Sequence, residues 1–218
     1  MPSRAYDHVV FDLDGTLVDS RLDLAAAVDH VLEVLQLPVL PFETIYRFIG
    51  EGARRLVQRA LGPAHEGRLD EALALFLAYY AEHLLDHTRP YPGVAETVAV
   101  LHARGVILSV LSNKPEALSR AILAGLGLLA HFTAVIGGDS LHARKPDPSG
   151  LRHLAELAGT PSERLLLVGD SRIDIETAHA AGVAFCGVAW GIRPDEVLAG
   201  GQRVIECPAQ LIAVVEGG

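Results

Sequence analysis

Phe11-Asp12-Leu13-Asp14-Gly15-Thr16-Leu17 is the stretch from which the fold of this 218-residue chain is read. The run leading into it, His8-Val9-Val10-Phe11, is short and apolar and ends in carboxylates. That is the pattern of a buried parallel strand delivering Asp12 and Asp14 to its C-terminal mouth. A period of two points both carboxylates the same way. Gly15 permits a sharp exit from the strand, and Thr16 can either donate its hydroxyl to an anion or tie the turn together. Carboxylates this close repel, raising the pKa of one of them unless a cation or a hydrogen-bond network stabilises both charges. The pair therefore reads either as aspartates capping a loop or as a site that asks for a metal or a proton.

Outward from this stretch the chain changes character twice. Asp19 and Ser20 can cap a helix carrying Leu24, Val28, Val31, Leu32 and Leu35, which Pro38 and Pro41 stop. Further helices are expected over residues 42–48, 52–61 and 65–86, the last with Leu69, Leu73, Phe76, Leu77, Tyr80 and Leu84 on one face. No strand-like run is expected between Leu17 and Arg89. Pro90-Tyr91-Pro92-Gly93 then ends the helical pattern. Beyond it, helices over residues 94–104, 116–124, 149–158 and 174–181 alternate with apolar runs at 106–111, 133–136, 165–168 and 183–188. Val204-Ile205 and a helix near 208–215 close the chain.

Such alternation predicts an α/β fold, a parallel sheet covered on both sides, interrupted after its first strand by an all-helical segment. The expected domains are a discontinuous α/β core, residues 1–18 and 88–218, and an inserted helical domain, residues 19–87. In such sheets ligands gather beyond the carboxyl ends of the strands. Ser112-Asn113, Gly138-Asp139 and Gly169-Asp170-Ser171 each follow an apolar run, so all are expected to converge on Asp12 and Asp14.

Composition narrows the partners. Half of the residues are hydrophobic, enough for a substantial core. A formal charge of −9 argues against binding nucleic acid through a broad basic face. Cys186 and Cys207 fit reduced, buried thiols in a cytoplasmic protein. Residues 1–8 are too short and polar for a signal peptide. The most apolar window, residues 121–138, is interrupted by Gly125, Gly127, His131 and Thr133, so no membrane span is expected.

Asp12-x-Asp14-Gly15-Thr16, Ser112-Asn113, Lys145-Pro146 and Gly169-Asp170-Ser171-x-x-Asp174 together resemble the four ordered motifs of the haloacid dehalogenase-like hydrolases. Within them the chain looks most like the phosphoglycolate phosphatase group. The supporting stretches are Asp12-Leu13-Asp14-Gly15-Thr16-Leu17-Val18-Asp19-Ser20, Pro92-Gly93, Lys145-Pro146-Asp147-Pro148, Ala181-Gly182 and Gly187-Val188-Ala189-Trp190-Gly191. The resemblance covers essentially the whole chain. It implies a Rossmann-like, HAD-like core with an inserted α-helical cap, and a magnesium-dependent phosphatase acting on a small phosphorylated metabolite, 2-phosphoglycolate above others. A monomer or homodimer is expected.

A phosphate monoester is a dianion, so a carboxylate can attack it only if the charges are neutralised and the leaving oxygen receives a proton. Uncatalysed hydrolysis is so slow that such enzymes supply accelerations of up to roughly 10²¹. By resemblance, Asp12 is the nucleophile and Asp14 the general acid and then base. Ser112, Asn113, Thr16 and Lys145 bind the phosphoryl group, with Lys145 the one cation. Magnesium falls to the Asp12 and Asp170 carboxylates and the Asp14 carbonyl, with Asp174 a ligand or an anchor behind the ligands. Relatives that remove halide lack the second aspartate. Phosphonate-cleaving relatives also replace it and use a cap lysine, and residues 19–88 contain no lysine.

Selectivity is expected from the cap. Phe48-Ile49-Gly50-Glu51-Gly52-Ala53-Arg54 can bring backbone amides to an anion; Arg47, Arg54, Arg55 and Arg59 include candidates for a substrate carboxylate, Arg54 first, with two or three of the four expected to be surface charges. Sugar phosphates, nucleotides and pyrophosphate stay open as substrates. A phospho-accepting signalling domain is the reading from another class.

Overall fold

Every residue of strand β1 (His8–Phe11) is buried, as a strand must be when it has neighbours on both edges and helices on both faces. The computed structural model describes residues 4–199 and 201–218, so the first three residues of the N-terminal stretch considered above lie outside the described residues. After β1 come the two-residue strand β2 (Val18–Asp19), helices α1 (Arg21–Val34), α2 (Phe42–Tyr46), α3 (Ala53–Leu61) and α4 (Leu69–Glu82), and the two-residue strand β3 (Arg89–Pro90). The chain continues through α5 (Val94–Ala103), β4 (Ile107–Leu111), α6 (Glu116–Gly125), β5 (Ala134–Ile136), α7 (Ser149–Ala158) and β6 (Leu165–Gly169). It closes with α8 (Arg172–Ala181), β7 (Ala184–Val188), α9 (Pro194–Leu198), β8 (Arg203–Ile205) and α10 (Gln210–Glu216).

The main sheet has six strands in the order β5-β4-β1-β6-β7-β8, and its pairings are parallel. His8 sits level with Ile107 on one side and Leu165 on the other, which brings the carboxyl ends of β4, β1 and β6 to one height. The strand order departs from β1 toward β5 and resumes on its other side with β6. β1 is thus the switch point at which a ligand crevice opens in this class of sheet.

Alternation along the strands assigns the two faces. Val10, Leu165 and Leu167 pack in one cluster with Leu151 and Leu154 of α7 and Ala178 of α8. Phe11 and Val168 turn the other way and share a lining with Val94 and Val98 of α5 and Leu211 of α10. Phe11 also meets Phe132 edge-on, with ring centroids 6.1 Å apart. Burying one such side chain contributes about 2 kcal/mol, so this double-faced core dominates the sheet's stability.

The chain divides into two compact units, one running up to Asp19 and resuming at Pro90, the other covering Ser20–Arg89. The sequence reading set these junctions at 18/19 and 87/88. Within the second unit, Val28, Val31 and Leu32 of α1 face Val57, Ala60 and Leu61 of α3. The buried Asp23 carboxylate accepts hydrogen bonds from the Thr88 amide (2.8 Å) and hydroxyl (2.6 Å) and the His87 amide (2.9 Å), tying the start of α1 to the end of the unit.

The helix expected over 65–86 is shorter than its pattern. Residues Pro63–Arg68 form a 3₁₀ stretch with a non-helical His65, and α4 begins at Leu69. Val18–Asp19 and Arg89–Pro90 pair as a two-stranded ribbon, too short to leave a periodic signal. Helix α9 was not anticipated, although Pro194 followed by Asp195 and Glu196 is a helix-start signature. Cys186 is buried, and burial raises its thiol pKa to about 11. Cys207, expected to be buried, is exposed because it sits in the loop before α10.

Candidate active site

Asp12, Ser112 and Asp170 each follow the last residue of a neighbouring strand, so the register of β1, β4 and β6 brings them together. The Asp12 amide still donates to the Val168 carbonyl (2.9 Å) and the Ser112 amide to the Ile136 carbonyl (2.9 Å), extending the ladder into the site. The chain then leaves β1 through a tight turn. The Leu17 and Val18 amides donate back to the Leu13 carbonyl at 3.0 and 3.1 Å, and the Gly15 amide donates to the Val18 carbonyl at 2.9 Å. Gly15 has φ +87°, and a Cβ there would overlap the Asp170 carboxylate, so this position requires glycine for both conformation and space.

Lys145 reaches the centre of the cluster from the loop before α7. Its ammonium lies 2.9 Å from Asp12 Oδ1 and 2.6 Å from Asp174 Oδ1, and its side chain is 2% exposed. Asn113 donates from Nδ2 to the Lys145 carbonyl at 3.1 Å, linking the end of β4 to the lysine loop. Asp174 is fully buried. Its Oδ2 accepts from the Ser171 hydroxyl (2.6 Å) and amide (3.3 Å), forming a capping box at the start of α8, while its Oδ1 holds Lys145. Asp170 Oδ2 accepts from the Ile192 amide at 2.7 Å and the Arg193 amide at 3.3 Å.

Lys145 is not the one cation, as the sequence reading had it. Lys114, also buried, places its ammonium 2.9 Å from Asp14 Oδ1. It stands directly after the Ser112-Asn113 pair, on the same turn. A signal was available, since the chain carries sixteen arginines and only two lysines, and both lysines belong to this site.

Burial dominates the electrostatics. It raises the Asp12 pKa to about 7 against the pull of Lys145, with Asp174 and Asp14 adding repulsion. It raises Asp170 to about 8, with Asp174 and Asp12 contributing further and the Ile192 and Arg193 amides opposing. Burial alone would lower the Lys145 pKa, but Asp12 and Asp174 outweigh it and hold the ammonium protonated. Carboxylates driven up in this way call for more positive charge than two ammonium groups provide. Asp12, Asp170 and Asp174 each offer a carboxylate oxygen, all within 4.8 Å of one another. Asp12, Asp170 and Asp174 against Lys145 leave two negative charges when all three are ionised, and an all-oxygen donor set suits a hard divalent cation.

Other residues named from sequence have the following partners. Asp139 is exposed and accepts from the Glu116 amide at 2.8 Å, serving the start of α6. Arg54 forms an exposed ion pair with Asp70 at 2.8 Å, Arg59 pairs with Glu51, and Arg55 donates to Gln58. Thr16 is buried, its hydroxyl has no partner among the described residues, and its carbonyl accepts from the Trp190 indole N–H at 3.1 Å. Trp190, read from sequence chiefly as packing, thus holds the first turn by a hydrogen bond.

Parallel strands ending level on a buried acidic cluster, with a lysine bridging two of its carboxylates, define an aspartate-centred enzyme of Rossmann-like fold. The family model for haloacid dehalogenase-like hydrolases matches residues 9–188, and the chain belongs to this family. Among its relatives, a phosphoglycolate phosphatase of Neisseria gonorrhoeae is 40% identical over 207 residues, covering 87% of this chain and 88% of the relative. One from Mesorhizobium japonicum is 42% identical over 194 residues, covering 87% and 85%. A crystal structure described as a predicted phosphoglycolate phosphatase from Haemophilus somnus superposes with a TM-score of 0.89 at 32% identity, over 96% of this chain and 98% of the other. No helix among the described residues is long and apolar enough to cross a membrane.

Proposed function

We propose that this protein is a phosphatase that hydrolyses a small phosphate monoester through a phosphorylated Asp12, with 2-phosphoglycolate as its substrate. The observation that carries the reading is Lys145, whose buried ammonium spans Asp12 at 2.9 Å and Asp174 at 2.6 Å beside Asp170. A nucleophilic carboxylate must stay ionised while a dianion approaches it, and a fixed cation is the means of keeping it so. The names of the relatives cited above support the substrate.

An Asp12 carboxylate oxygen attacks phosphorus, the bond to the leaving alkoxide breaks, and Asp14 donates its proton to that oxygen, leaving Asp12 as an acyl phosphate. Asp14, now ionised, takes a proton from water as the water oxygen attacks phosphorus; Asp12 departs as carboxylate and inorganic phosphate is released. Ser112 and the neighbouring amides receive the phosphoryl oxygens. Asn113 keeps Lys145 aimed by donating to its carbonyl, and Lys114 steadies Asp14. Magnesium, held by the Asp12 and Asp170 carboxylates and the Asp14 carbonyl, would draw charge from the phosphoryl oxygens. Asp174 has both oxygens engaged, which favours it as the anchor of Lys145.

The test is phosphate release from a panel of phosphate esters with and without Mg²⁺. The expected result is multiple turnover, kcat/KM at least about tenfold higher for 2-phosphoglycolate than for hexose phosphates or nucleotides, and abolition by Asp12→Asn. Robust hydrolysis by that variant overturns the mechanism. A flat panel overturns the substrate. A single turnover ending in a long-lived phospho-aspartate would instead favour a phospho-accepting signalling domain.

A further inference from the structure

Asp170 is gripped from outside the four motifs. The loop after β7, Trp190 to Arg193, donates two backbone amides to its Oδ2, at 2.7 Å from Ile192 and 3.3 Å from Arg193. Gly191 lies against the Asp170 side chain so closely that a Cβ there would overlap Asp170 Cβ and come within 2.7 Å of Oδ2. The same loop reaches the first turn, where the Trp190 indole N–H donates to the Thr16 carbonyl at 3.1 Å. Glu196, at the start of α9, fastens the loop behind. It accepts from the Arg193 guanidinium at 3.1 Å and from the Arg172 amide, the first residue of α8, at 2.9 Å.

We propose that residues 190–193 are a positioning clamp for the cation site: the Ile192 and Arg193 amides fix the Asp170 carboxylate through one oxygen and leave the other for the metal. Trp190 locks the Asp14-bearing turn to the same loop. The proposal rests on the metal-dependent reading above. A carboxylate whose outer oxygen is held by two amides loses its rotational freedom before the cation arrives, so less ordering has to be done on binding. Because one rigid loop touches both motifs, cation binding at Asp170 is transmitted to the single tryptophan of the chain.

The experiment is a Mg²⁺ titration of the wild-type protein followed by calorimetry and by Trp190 fluorescence, repeated on Gly191→Ala. In the wild type, the emission change and the heat should share one midpoint. Gly191→Ala, which pushes on Asp170 without removing a ligand, should weaken Mg²⁺ binding by at least about tenfold. The clash with Asp170 should lower its metal-free thermal midpoint, so its affinity is read at a temperature where circular dichroism shows it folded. Wild-type binding with no change in tryptophan emission, or unaltered affinity in a folded Gly191→Ala, overturns the clamp and leaves the phosphatase reading standing. Absence of Mg²⁺ binding by the wild type overturns the metal-dependent reading itself. Should Gly191→Ala not fold, the wild-type comparison of heat and emission decides alone.

Discussion

Lys114 and Lys145 owe their places to the geometry of the ammonium group. A compact point charge on a flexible stem can sit between two separate carboxylates, as Lys145 does between Asp12 and Asp174, where a rigid planar fork is matched to one. Lys114→Met should lower kcat for alkyl phosphates by about 100-fold or more, while p-nitrophenyl phosphate, whose leaving group needs little protonation, should lose far less. Steady-state kinetics on both substrates checks this, and equal losses would mean that Lys114 does not act through Asp14. His8, at the opposite end of β1, is a structural case. It is fully buried with Nε2 2.9 Å from Ser109 Oγ, and burial drives its pKa from 6.5 down to about 4. Between those values the unfolded chain binds a proton that the folded chain refuses. His8's contribution to stability is therefore whole above pH 6.5 and is lost as pH drops toward 4, about 3 kcal/mol at most. Because the raised Asp12 and Asp170 pKa values act in the opposite sense over the same window, the check is the difference in urea midpoint between wild type and His8→Gln: the wild type should lose ground to the variant as pH falls from 6.5 toward 4. At this scale the sequence exposed Asp12, Asp14, Lys145 and Asp170 because their motifs are contiguous. It concealed Lys114 because a lysine's partner depends on which turn faces it.

Among the elements, α1 depends on a contact that no local pattern announces. Asp23 lies in its first turn, where a carboxylate is favoured by the helix dipole, yet all three of its donors come from His87 and Thr88. Asp23→Ala should cost about 2–4 kcal/mol, since it strands two amides and a hydroxyl around the fully buried Thr88. Asp23→Asn keeps one acceptor oxygen and should cost less. Equilibrium unfolding in urea ranks the two, and equal stability of Asp23→Ala and wild type would contradict the assignment. Elements with strong periodicity, such as α5 and β4, matched expectation to within a residue or so. α4 lost its first turn because Pro63 and Gly67 impose a 3₁₀ path where the apolar spacing alone suggests a helix. The short ribbon β2-β3 had no periodicity to read, since two residues cannot display one.

For the molecule as a whole, the charge left over at the site predicts a link between metal and stability. A cation that binds the folded chain alone adds about 2.7 kcal/mol at a hundredfold excess over its dissociation constant. Saturating Mg²⁺ should raise the thermal midpoint by roughly 5–10 °C, and Asp170→Asn should abolish the rise. Scanning calorimetry with and without chelator measures it, and an unchanged midpoint in Mg²⁺ would argue against the cluster as a cation site. The order of helices and apolar runs by itself determined a parallel α/β sheet with an inserted helical segment, because burial on two faces and the periods of 2 and 3.6 are written locally. It also determined which carboxylates stand at strand ends, since Asp12 and Asp170 directly follow their runs. Only the tertiary structure decided which groups meet there: that Lys114 answers Asp14, that Asp139 turns away to α6, and that the loop at Gly191 grips Asp170. Those pairings join residues far apart in the chain, and they are set by strand register and loop path, which the spacing of residues along a sequence does not encode.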